Sequence, residues 1–253
     1  SFDDGPNTKI TPQVLDLLEK YGLVMNGRED GRWWGGDGDR AGKMRTMKPL
    51  TEFETLARRL ANEWKHAALP MTDICDEPSA LDMDYCGEAC ARMININPAV
   101  MPFVNIYPNY ASVSWTSGKE RVNQLGTTNY AEHVAAYCRT MPLDYICYDY
   151  YPCHDDAVEQ RKNLPQYLAN LKVVADQARR TGRKLRVAQQ SNTHPSDTLG
   201  PTENKLRFQA YAAMAFGTVE LEWACWTDGW GDGWKNNLVD KEGKPTEKYH
   251  RLK

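Results

Sequence analysis

The chain has 253 residues, with 31 basic against 34 acidic side chains and a net charge of -3. That length suits one large domain around a substantial core, and the balance lacks the basic stripe expected of a nucleic-acid or acidic-membrane partner. No apolar run approaches the ~20 residues of a membrane span and no signal peptide is visible; seven cysteines without a CxxC spacing predict free, buried thiols and no metal on cysteine.

From the N-terminus, "TPQVLDLLEKYG" has helical apolar spacing, with Thr11 as N-cap, Pro12 behind it and Gly22 as C-cap. "LVMN" predicts a short strand, "GREDGRWWGGDGDRAGK" a glycine-rich loop and "PLTEFETLARRLANEWKHA" a second helix. The alternation is then regular. Strands are predicted at "LPMTDICDEP", "MPFVNIYP", "LDYICYDYYP", "KLRVAQQSN" and "TVELEWACW". Helices are predicted at "ALDMDYCGEACARMI", "NYAEHVAAYCRTM", "LPQYLANLKVVADQARRTG" and "PTENKLRFQAYAAMAFG".

Such alternation implies parallel strands joined by right-handed crossovers. The apolar strands end in Asp76, Glu77, Tyr107, Asp149, Gln190 and Trp226. Polar and aromatic side chains at those ends suit an α/β chain folded as a (β/α)8 TIM barrel in one domain, residues 1–253, with its site at the C-terminal strand ends. An open doubly wound sheet is the alternative, but no glycine-rich phosphate loop follows any strand. About seven strands are countable. The barrel is therefore expected to be incomplete or irregular in its first third, or to hide a strand in the Trp-Gly loop. The eight tryptophans and thirteen tyrosines cluster beside glycine, proline and acidic residues. In such loops their flat faces suit the stacking of sugar rings. "WWGGDGD" and "DGWGDGW" echo each other without the oxygen-ligand spacing of an EF-hand.

"SFDDGPNTKITPQVLDLLEKYG" resembles the first block of polysaccharide deacetylases, which implies a catalytic base at Asp3 and a metal ligand at Asp4. That family completes its metal site with a histidine pair four residues apart, and the histidines here, at 66, 133, 154, 194 and 250, contain none. No bound metal is therefore expected on Asp3 or Asp4. From about residue 70 to 253, "CDEP", "PFVNIYPNYAS", "DYICYDYYP" and "ACWTDGW" resemble TIM-barrel glycoside hydrolases of the β-galactosidase-like clan.

This resemblance implies a glycosidase that needs no cofactor, acts on a poly- or oligosaccharide and is secreted or periplasmic, with Glu77 as general acid/base. Glycoside cleavage needs one carboxylic acid to protonate the leaving oxygen and a second carboxylate across the sugar. The clan's nucleophile would fall at Gln189–Gln190, and neither can attack an anomeric carbon. Asp149 and Glu222 are the substitutes. Asn105, Tyr107, Asn109, Tyr148, Tyr150, Gln190, His194 and Trp226 are the candidate substrate contacts, although tyrosines of alternate parity around Asp149 cannot all face the pocket. A sugar-binding barrel without activity is the rival reading, and a metal-dependent deacetylase the third.

Overall fold

The computed structural model describes residues 11–20, 26–27, 33–34, 40–63, 71–111, 115–117, 120–122, 124–224, 233–235, 237–240, 242 and 244–252. It is an α/β structure that divides into two compact units, residues 1–107 with 111–143, and residues 108–110 with 144–253.

The first unit contains α1 (Thr11–Lys20), β1 (Asn26–Gly27), β2 (Trp33–Trp34), α2 (Met44–Met47), α3 (Leu50–Glu63), β3 (Met71–Asp76), α4 (Met83–Ile96), β4 (Met101–Ile106), a small hairpin of β5 (Trp115–Ser117) and β6 (Glu120–Val122), and α5 (Tyr130–Thr140). Both β1 and β2 run parallel to β3: Asn26 lies opposite Met71, and Trp34 opposite Asp76. Both therefore lie along the same edge of β3. A strand thus does sit inside the Trp-Gly segment, where two residues leave too short a pattern to read. On its other edge β3 pairs in parallel with β4, with a register shift between Asp73 and Cys75.

The second unit contains β7 (Tyr145–Tyr150), α6 (Ala157–Thr181), β8 (Lys184–Gln190), α7 (Glu203–Ala215), β9 (Thr218–Ala224) and α8 (Glu247–Leu252). Its strands pair in parallel in the order β7, β8, β9. Within each unit spatial order follows chain order, so neither shows the reversal that defines a doubly wound sheet. Every residue of β7 is buried, as expected of a parallel strand covered on both faces. Tyr145, Ile146, Tyr148, Tyr150, Tyr167, Leu171, Val174 and Val187 are fully buried, each contributing roughly 1.5–3 kcal/mol by leaving water.

Helix α6 begins earlier than its sequence pattern predicts. Pro165 reads as a helix start, yet it lies inside a 25-residue helix whose N-cap is Asp156. The Asp156 carboxylate accepts from the backbone N–H groups of Val158 and Glu159, at 2.8 and 2.9 Å, satisfying two of the four amides a helix start leaves unpaired. Gly182 ends the helix at φ 67, a conformation glycine adopts without a Cβ clash. The cysteines at 75, 86, 90, 138, 147 and 153 are free thiols, all but Cys138 buried. Among the described residues no helix is long and apolar enough to cross a membrane.

Candidate functional site

In the first unit the polar side chains gather where β3 and β4 end. Asp76 and Asn105 are register partners, and the Asn105 amide donates to Asp76 Oδ1 at 3.2 Å. The next residue, Glu77, has φ 52 and is the only non-glycine with positive φ among the described residues. A side chain in this left-handed region clashes with its own backbone, so the surroundings must hold it there.

They do so through a chain of contacts. Glu77 N–H donates to Asn105 O at 2.7 Å, and Ala80 N–H donates to Leu125 O at 3.0 Å. Gly126, at φ 66, presses on the same turn: a Cβ there would lie 2.3 Å from Ser79 Oγ and 2.9 Å from the backbone nitrogens of Ala80 and Leu81. His133 Nδ1 lies 2.8 Å from Leu125 O. Because a carbonyl only accepts, Nδ1 carries the proton. Burial lowers the His133 pKa to about 4, keeping the ring neutral. Tyr107 and Tyr130 pack on this ring, with centroids 6.2 and 6.1 Å away. The predicted acid, Glu77, is half-buried on a turn that its neighbours fix, whereas Tyr107 is buried against His133.

In the second unit, register decides which side chains share a face. Asp149 lies opposite Ala188, and Ala188 opposite Glu222. Residues in register on parallel strands point the same way, so the two carboxylates flank a single methyl group, their Cα atoms about 9.5 Å apart at ~4.8 Å per strand. The row beneath is Cys147, Arg186 and Glu220. Arg186 Nε lies 3.1 Å from Glu220 Oε2, and its guanidinium stacks 4.3 Å over the Tyr145 ring. Glu222 leans across β8 until its Oε1 is 4.0 Å from Cys147 Sγ. Burial above all, and then Glu222, raise the Cys147 thiol well above its ordinary range. Arg186 was missed from sequence, though a charge sharing parity with Gln190 in an apolar strand was a usable signal.

The remaining predicted contacts divide between this face and structural duties. Tyr148 and Tyr150 share the opposite face, both fully buried. The Tyr150 ring meets Tyr167 of α6 at 5.4 Å and Tyr110 at 5.2 Å, and burial pushes its hydroxyl up to about 12. The Gln190 amide is taken up by Cys153, accepting from its N–H at 2.7 Å and donating to its carbonyl at 3.0 Å. Asn109 docks on α6, its amide donating to Gln166 O at 3.0 Å. His194 lies in the loop after β8, its ring 4.8 Å from that of His154 and 5.0 Å from that of Trp234. Burial, and then His154, lower its pKa. Trp226, Asp3 and Asp4 lie outside the described residues.

No family model matches this chain, and no curated protein matches it. Solved structures do. An endo-beta-1,4-glucanase from Xanthomonas axonopodis pv. citri superposes with a TM-score of 0.53 at 13% identity, over 98% of this chain and 79% of that one. A GH10 endoxylanase from a sugarcane soil metagenome gives 0.53 at 12% identity, covering 98% and 81%. A GH128 (subgroup II) endo-beta-1,3-glucanase from Sorangium cellulosum gives 0.52 at 14%, covering 97% and 85%. These neighbours are glycoside hydrolases with a TIM-barrel-like fold, and the likeness to them is one of fold.

Proposed function

We propose that the chain is a glycoside hydrolase acting on a poly- or oligosaccharide, built as a single (β/α)8 domain and working outside the cytoplasm. The observation that carries the reading is Glu77, the residue predicted as general acid/base, held at φ 52 on the turn after β3. Backbone strain that neighbours over-determine is a mark of functional positions. In a parallel α/β fold the C-terminal strand ends are where ligands bind. Asp149 and Glu222, on one face with only Ala188 between them, are the carboxylates proposed to complete the pair. Trp226 is proposed as a stacking platform, and Asn105 as the brace that holds Asp76 beside Glu77.

Each role in this mechanism needs a different protonation state. The acid must hold its proton until the glycosidic oxygen accepts it, and the partner must stay ionised. Arg186, one row below Asp149 and Glu222, supplies positive charge for the second.

The test is hydrolysis of β-1,4-glucan, β-1,3-glucan and xylan, followed by reducing-end release. The expected result is activity on at least one, falling roughly 10²–10⁴-fold in Glu77→Gln. Full activity in that variant would overturn the assignment. The rival reading, a sugar-binding barrel without activity, is favoured by the neutral pair Gln189 and Gln190 at the end of β8, both committed to buried hydrogen bonds. It predicts retention on polysaccharide affinity gels with no product formed.

A further inference from the structure

The loops that follow β7 and β8 bring together His154, His194 and Asp197, whose ligand-type atoms all lie within 4.8 Å of one another. We propose that these three side chains form a zinc-type divalent metal site, separate from the carboxylates of the proposed hydrolase centre and not dependent on that reading.

The geometry carries it in three steps. His154 Nδ1 lies 3.2 Å from Asp197 Oδ2, yet that buried carboxylate oxygen makes no hydrogen bond. A nitrogen and an oxygen this close without hydrogen-bond alignment are spaced like two ligands on one tetrahedral ion, where bonds of about 2.0–2.1 Å put ligand atoms about 3.3 Å apart. His194 supplies the third ligand. Its Nδ1 lies 2.7 Å from Ser196 Oγ and also accepts from Ser196 N–H at 3.2 Å; coordination through Nε2 requires the ring proton to sit on Nδ1 and point at Ser196 Oγ, the usual outer contact of a metal-binding histidine.

The surroundings are shaped to keep this set in place. Asp197 N–H donates to His194 O at 2.9 Å, which holds the two ligands on one turn. The Asp155 carboxylate accepts from Thr198 N and Leu199 N, each at 2.8 Å, tying the loop after β7 to the loop after β8. Lys205 Nζ donates to the His154 carbonyl. The indole of Trp234 closes one side of the His194 ring. Two nitrogens and one carboxylate oxygen are the donor set of zinc centres with three protein ligands, which keep a fourth position for water or a ligand.

The test is zinc titration of chelator-treated protein by calorimetry, with cobalt(II) absorption as a geometric probe. The expected result is one zinc per chain and tetrahedral cobalt bands. In His154→Gln, His194→Gln and Asp197→Asn the affinity should fall about 100-fold or more, and in Ser196→Ala by about 10-fold. His194→Gln changes a partly exposed ring, so it remains informative if Asp197→Asn fails to fold. Zinc should also raise the melting temperature of the parent chain but not of His194→Gln. Absence of stoichiometric zinc binding, or affinity unchanged in both histidine variants, would overturn the proposal.

Discussion

The end of β3 and the ends of β7 to β9 position acidic side chains in opposite ways. At β3 the backbone does the aiming: Glu77 sits in a conformation it would not choose, held by Asn105, Leu125 and Gly126. At β7 to β9 the backbone is ordinary parallel sheet, and aim comes from register and from charges stacked in two rows. The first arrangement depends on close packing at a distance from the acid. The second depends on a balance between carboxylates and Arg186. Substitutions that disturb packing should therefore act through the first unit, and substitutions that change charge through the second.

The largest stability effects should fall on the packing side. Gly126→Ala adds a Cβ against Ser79 and the backbone of Ala80 and Leu81 while keeping a positive φ, so a loss of about 3 kcal/mol is expected in urea unfolding. An unchanged midpoint would mean that the turn is not held from this side. A pH series tests the same buttress. The folded His133 pKa of about 4 lies below the ordinary value of 6.5, so the unfolded chain takes up a proton first on acidification. Stability contributed here is complete above about pH 6.5 and declines towards pH 4, by about 3 kcal/mol. His133→Gln should flatten that part of the profile, whatever it does to stability at neutral pH.

The charge side should respond more mildly. Arg186→Met leaves Glu220 without its partner and removes the stack on Tyr145; because Glu220 is partly exposed, a loss of about 2 kcal/mol is expected. Pairing it with Glu220→Gln should recover part of that loss, and full additivity would show that the two do not interact. The smallest effect has the opposite sign. Glu77→Gly relieves the left-handed strain and should stabilise the chain by about 1 kcal/mol while abolishing hydrolysis. Destabilisation would show that the Glu77 side chain earns its place by packing.

The strands and most helices were legible because burial writes apolar runs and 3.6-residue periods into the sequence. Parity was only half used: Tyr148 and Tyr150 were expected among the substrate contacts, and the structure buries both on the face opposite Asp149, with the Tyr150 ring against Tyr167. Two things were not legible. Pro165 masked the true start of α6, since its start-signal chemistry resembles that of a first helical residue. The cluster of His154, His194 and Asp197 was invisible because about forty residues separate its parts, and only the pairing of β7 with β8 makes their following loops neighbours.

Helix α6 has a further consequence. Its 25 residues span about 37 Å at 1.5 Å per residue, whereas β7 and β8, of six and seven residues, span only about 20–23 Å. At its C-terminal end just Gly182 and Arg183 separate it from β8, so the helix is flush with the sheet there. The surplus of about 15 Å must stand at the other end, above the edge where Asp149 and Gln190 lie, and Pro165 falls near the point where it clears the strands. The chain has in this way built a parapet beside that edge. For the polysaccharide proposed above, docking at β7 and β8 would then run alongside the parapet, a direction of approach set before any side chain makes contact.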